Sequence, residues 1–211
     1  MSLKLKRKKR TTVPPLAGGT YLGICIGIID LGEQYNQNFK NYADKLMLLF
    51  EISGETVNVD GEDKPRWLSR EYTASLNEKA ALYKHLVAWR SRDFTESELD
   101  TDGDGFDIES MLGKPCMLTV IVKDGDNGAY NRIENIAALP KGVPAPTTEQ
   151  ELLAYDIDER DEEVFAKLPE WIQGKIKKST QFAENPPEDD LEEKSSEGDE
   201  SEPETEEECP I

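Results

Sequence analysis

The feature that most constrains this chain is one amphipathic stretch, Ser75–Trp89, set between two groups of strand-like segments. Ser75-Leu-Asn-Glu78 has the spacing of a capping box, in which the serine and the glutamate each satisfy a free backbone N–H. Leu82, His85, Leu86 and Trp89 then recur at helical spacing and give the helix one largely apolar face. A lone helix among strands must close one end of whatever the strands enclose.

Before it, Thr20–Asp30 places Leu22, Ile24, Ile26 and Ile28 on one face, with Tyr21, Gly23, Cys25 and Gly27 on the other. Glycines inside a strand mark bends or close backbone approach. Lys45–Val59 alternates Leu46, Leu48, Phe50 and Ile52 against Lys45, Met47, Leu49 and Glu51, and Asp60-Gly61 is a turn signal. Arg66–Ala74 returns with Trp67, Ser69, Glu71 and Thr73 on one face and Arg66, Leu68, Arg70 and Tyr72 on the other. After the helix, Pro115–Val122 and Ala129–Ala138 flank the hairpin signal Asp124–Gly128. Three strands, a helix and two strands is the order of an OB-fold, a five-stranded Greek-key barrel that binds oligonucleotides or oligosaccharides.

The sequence therefore predicts a mainly β protein with an OB-fold barrel over 19–141, preceded by a basic flexible arm over 1–18. A Pro-rich linker with short helices follows over 142–182, and a disordered acidic tail over 183–211. The short helices are expected at Thr148–Tyr155 and Asp161–Lys178, the second interrupted at Pro169. Val164, Phe165, Leu168, Trp171, Ile172 and Ile176 form its apolar stripe, with Trp171 assigned to packing on the barrel or on a sister subunit. Smaller helical turns are expected from Thr95 and over Ile108–Leu112, the latter stopped by Gly113.

Charge is distributed unevenly over these parts. The 211 residues carry a formal −19, but Ala183–Ile211 holds fourteen acids and one lysine, which leaves only −6 for everything before it. Lys4, Lys6, Arg7, Lys8, Lys9 and Arg10 make the arm strongly basic. A whole-chain pI of about 4.5 argues against a nucleic-acid partner, whereas this polarised distribution allows one.

Aromatic residues accompany cations where an OB-fold holds its ligand. Tyr35, Phe39, Lys40 and Tyr42 lie in the polar connection after the first strand. Arg66, Trp67, Arg70 and Tyr72 lie on the third strand, and Lys123, Tyr130 and Arg132 flank the last hairpin. Bases stack on aromatic faces without regard to sequence, and cations follow the phosphates.

Other chemistry is poorly represented. Asp100, Asp102, Asp104 and Gly105 start like a calcium loop, but Met111 occupies the position that requires a bidentate glutamate, so no metal is expected. Cys25, Cys116 and Cys209 have no metal-ligand spacing, and the first two read as buried small apolar residues. One histidine and no phosphate-binding or nucleophile motif point to a protein that is not an enzyme and needs no cofactor.

The element order, the aromatic–basic set and the tail ending Glu206-Glu-Glu-Cys-Pro-Ile211 together resemble phage-encoded single-stranded-DNA-binding proteins. Leu68-Ser-Arg-Glu-Tyr72 and Leu112-Gly-Lys-Pro-Cys116 carry the resemblance within the body. The tail departs from the Ile-Pro-Phe type tip of bacterial relatives by lacking a terminal aromatic. The resemblance implies a cytoplasmic protein of phage DNA replication or recombination, with a second copy of itself among its candidate partners. Its partners would be single-stranded DNA and, through Cys209, Pro210 and Ile211, replication or recombination proteins. A strand-annealing accessory, or an acidic interaction module such as a DNA mimic or assembly chaperone, are the alternatives.

Overall fold

The computed structural model describes residues 13–37, 39–59, 61–100, 105–125 and 128–182. The alternating apolar runs form five strands: β1 (Gly19–Asn36), β2 (Asn41–Val59), β3 (Glu62–Thr73), β4 (Pro115–Gly125) and β5 (Gly128–Ala137). They make one antiparallel sheet in the order β3-β2-β1-β4-β5. The sheet curls, and across its open side Arg70 on β3 donates to the backbone carbonyls of Ile133 and Glu134 on β5. The architecture is thus mainly β, a curled antiparallel sheet with a few short helices.

Helix α1 (Ala81–Arg90) lies against the inner face, burying Leu82, Leu86 and Trp89. It starts later than its sequence predicts. The Ser75 hydroxyl accepts from the Asn77 N–H, and the Asn77 side chain accepts from the Lys79 N–H, which folds residues 75–79 into local turns. Short polar side chains offer the backbone this alternative to a helix. A capping box does form at Thr95 and Glu98, opening α2 (Glu96–Leu99). A single 3-10 turn spans Ile108–Met111, and Gly113 follows it with a positive φ of 72°.

Inside the curl, Cys25, Ile28, Leu48, Phe50, Leu68, Cys116, Leu118, Val120 and Ile133 meet α1 in one core. A second core lies on the outside of the same sheet. β1 carries a bulge at Ile26, between the register pairs Cys25↔Phe50 and Gly27↔Leu49. The extra residue reverses the parity of the strand, so Ile24, Ile26, Ile29 and Leu31 face outward while Cys25 and Ile28 face inward. The expected single face of Leu22, Ile24, Ile26 and Ile28 is therefore split.

Residues 150–182 cover that outer face. Leu153–Tyr155, expected to be helical, is a strand, β6, that pairs parallel with Gly27–Ile29 of β1. Two helices follow, α3 (Glu162–Lys167) and α4 (Glu170–Ile176), broken at Pro169 as the sequence predicts. Tyr155, Ile157, Leu168, Ile172 and Ile176 bury themselves on Met47, Leu49 and the outward residues of β1. At Gly32, with φ +70°, a Cβ would come within 2.4 Å of Ile157 and 2.9 Å of Ser179, so only glycine permits this approach. The segment read as a linker with helices is a second layer of the fold.

The described end of the arm, expected to be flexible through residue 18, is fixed as well. Leu16 is buried, and its backbone exchanges hydrogen bonds with the Asn131 side-chain amide at 2.7 and 2.9 Å. Arg66 donates to the Pro14 carbonyl at 2.8 Å. An amide side chain paired with both groups of one residue imitates a strand partner, which is why the chain docks there. Residues 1–12 and 183–211, with Cys209, Pro210 and Ile211, lie outside the described residues.

Candidate nucleic-acid interface

Three clusters of aromatic and cationic residues were expected, and the fold treats each differently. At the β1–β2 tip the register places Tyr35 opposite Tyr42, with ring centroids 5.1 Å apart. Phe39 is 43% exposed at the turn and Tyr35 37%, and Lys40 stands between the strands with φ 52°. An exposed phenyl ring beside tyrosines at a strand-turn tip has no core to fill, so it is free to meet a planar ligand.

On the β4–β5 ribbon the register pairs Lys123 with Tyr130 and Ile121 with Arg132. These three expected residues thus share one face of the ribbon, as cross-strand neighbours do. Arg132 also approaches Glu134 at 3.6 Å, and its side chain is 23% exposed.

The third cluster is divided by strand parity. Arg66, Arg70 and Tyr72 share the face of Leu68 and point inward, where all three are buried. They do not line an open groove. Arg66 holds the arm root and also donates to Asn131 at 3.2 Å. Arg70 bridges the sheet edges, and its guanidinium lies 5.2 Å from the Tyr72 ring centroid. The Tyr72 hydroxyl pairs with His85 Nδ1 at 2.8 Å, and burial pushes the phenol pKa up. Trp67, on the opposite parity, is the one member of this set on the outside.

His85 has a measurable consequence there. Burial first, and then the charge of Arg70, push its pKa down to about 4, so the folded protein holds it neutral. The folded pKa lies below the unfolded value, so this stability is complete above about pH 6.5 and is lost as pH falls towards 4, by about 3 kcal/mol. Chemical denaturation at pH 7 and pH 4.5 should show a smaller loss for His85→Gln than for the parent. Equal losses in the two proteins would contradict the buried neutral imidazole.

Outside the sheet, Trp67 on β3 meets Trp171 on α4. Their ring planes are within 12° of parallel and their centroids 6.4 Å apart. Trp171 was assigned to packing, and part of each indole does rest on the outer core. Sequence alone did not connect it with Trp67. The available signal was the period-2 alternation of Leu153, Tyr155 and Ile157, which marks the returning strand that brings α4 back over the sheet.

No family model matches the chain, and no curated protein matches it. What this surface can do follows from its own chemistry.

A cavity of about 460 Å³ opens at the end of the curl beneath the β1–β2 hairpin. Its lining includes Asp30, Asp44, Glu109, Asp156 and Asp158. Burial, then Asp156 and Asp158, raise the Asp30 carboxyl pKa, a sign of a locally negative field. Phosphates are repelled there, which leaves the strand faces and hairpin tips for an anionic polymer. Among the described residues no group of histidine, cysteine or carboxylate side chains is arranged to hold a metal ion; Asp102 and Asp104 of the calcium-like loop lie outside them. Cys25 and Cys116 are buried free thiols, and burial pushes Cys25 up to about 12. Among the described residues no helix is long and apolar enough to cross a membrane.

Proposed function

We propose that the curled sheet is an OB-fold barrel and that the chain binds single-stranded DNA with little regard to sequence. The observation that carries this reading is the sheet order β3-β2-β1-β4-β5, with β3 and β5 drawn together and α1 placed between β3 and β4. That is the strand order of an OB-fold, whose connections after strand 1 and between strands 4 and 5 clasp ligand. In this chain those two connections carry Tyr35, Phe39, Lys40 and Tyr42, and Lys123, Tyr130 and Arg132. Stacking on exposed rings favours unpaired bases over a duplex, whose bases are already stacked. The resemblance to phage single-stranded-DNA-binding proteins points the same way, as does the basic arm whose root is pinned by Arg66 and Asn131. The acidic tail remains proposed as a handle for replication or recombination proteins.

The test is an anisotropy titration of the full chain with labelled single-stranded DNA, duplex and RNA of equal length at two salt concentrations. Single-stranded DNA is expected to bind most tightly, with affinity falling as salt rises because released counterions drive binding. A chain ending at Phe182 removes fourteen acids and one lysine and should bind more tightly at low salt, where screening is weakest. Equal or tighter binding of duplex would refute the proposal.

A further inference from the structure

We propose that Trp67 and Trp171 form one base-stacking platform, so that the C-terminal layer supplies half of a nucleobase site that the barrel alone lacks. The inference rests on the single-strand-binding reading and deepens it. Its carrying observation is the pair of nearly parallel indoles, 12° apart in plane with centroids at 6.4 Å, each only partly buried.

Attachment of α4 does not require this pair. Leu168, Ile172 and Ile176 are almost wholly enclosed at 3%, 0% and 0% exposure and already seat the helix on β1 and β2. Lys175 bridges to Glu71 on β3 at 2.8 Å, and Gln34 on β1 donates to the Lys175 carbonyl at 3.1 Å. The two tryptophans sit at the rim of that core, where a leucine would cover the same apolar surface. What leucine would not supply is a flat π face.

Hydrogen bonding separates these indoles from the third tryptophan. Trp89, inside the curl, donates its indole N–H to the Pro115 carbonyl at 2.8 Å. The indole N–H groups of Trp67 and Trp171 have no protein acceptor among the described residues. A buried indole is normally satisfied, and one that meets a ligand keeps its donor for it.

The electrostatic surroundings fit a strand laid across α4. Lys175 follows Trp171 by four residues on α4 and so lies on the same face of the helix, where it pairs with Glu71, and Lys178 lies in the turn just after α4. Lys178 is exposed. A nucleotide stacked on the indoles would have its phosphates pass towards these lysines, since aromatic platforms beside cationic tracks accommodate any base. The platform is also pre-organised: one jaw is a strand of the sheet, and the other is held by an ion pair and two enclosed isoleucines.

The experiment compares the full-length parent with Trp171→Leu, Trp171→Phe and Trp67→Leu. Leucine preserves apolar cover, and equal thermal midpoints establish that each variant is folded. The probes are an oligothymidylate and a strand of the same length with an abasic sugar–phosphate backbone. Parent and Trp171→Phe are expected to bind the oligothymidylate alike, with quenching of tryptophan fluorescence in the parent. Trp171→Leu and Trp67→Leu should each bind it about tenfold more weakly, the loss of one stacked base. Binding of the abasic strand should be unchanged in all four proteins. Parent-like affinity of Trp171→Leu for the oligothymidylate would overturn the platform while leaving single-strand binding intact. Failure of the parent to bind either strand would overturn both readings.

Discussion

A chain ending at Pro146 is expected to lose its cooperative thermal transition, whereas one ending at Phe182 keeps it. The shorter chain lacks β6, α3 and α4 and uncovers Ile26, Ile29, Leu31, Met47 and Leu49, all nearly solvent-free in the intact fold. Each such side chain contributes about 1.5–3 kcal/mol when buried. Five of them sum to the order of 10 kcal/mol, comparable with the whole stability of an ordinary domain, about 5–15 kcal/mol. The acidic segment after Phe182 is too polar to contribute similarly. Circular dichroism on heating, together with binding of a hydrophobic dye, distinguishes the two truncations. A sharp transition for the Pro146 chain within a few degrees of the parent would show that the curled sheet and α1 stand without their outer layer.

Arg70→Ala should cost stability rather than affinity. The substitution removes the guanidinium from the Ile133 and Glu134 carbonyls and leaves those acceptors without their donor at the seam between β3 and β5. Losing a charged hydrogen-bonding group from such a place costs about 3 kcal/mol, or roughly 6–12 °C in midpoint for a chain of this size. Binding of single-stranded DNA, expressed per folded molecule, should match the parent. An unchanged melt with a tenfold loss of affinity would restore Arg70 as a cation that follows the phosphates.

Arg70 also shows how far a sequence can be read. The five strands are legible because alternation at period two is a direct imprint of a sheet with a buried face. Which face of β3 is buried is harder, since each carries an aromatic residue and polar groups. Only the shared parity of Leu68 with Arg66, Arg70 and Tyr72 decides it. The bulge at Ile26 is marked in the sequence only by the glycines around it: at Gly27 a Cβ would come within 2.7 Å of the Leu49 side chain, but a glycine signals a bend without saying which residue is the extra one. Ser75 and Glu78 have the right types and spacing for a capping box, yet Asn77 between them supports a competing turn. The hairpin clusters could be read from composition because polar connections rarely hold unneeded aromatics. The pairing of Trp67 with Trp171 could not, since 104 residues separate them and only the fold brings them together.

The two-sided burial of β1 sets an order for synthesis. It leaves the ribosome ahead of β2–β6, yet its outward residues Ile24, Ile26, Ile29 and Leu31 are covered by Tyr155, Ile157, Leu168, Ile172 and Ile176, more than a hundred residues later. Such distant contacts cannot form until residues 155–176 have emerged. During that interval the nascent chain presents an isoleucine-rich sheet face to its neighbours. β1, made before the other strands of its sheet, is thus among the last of them to be fully enclosed.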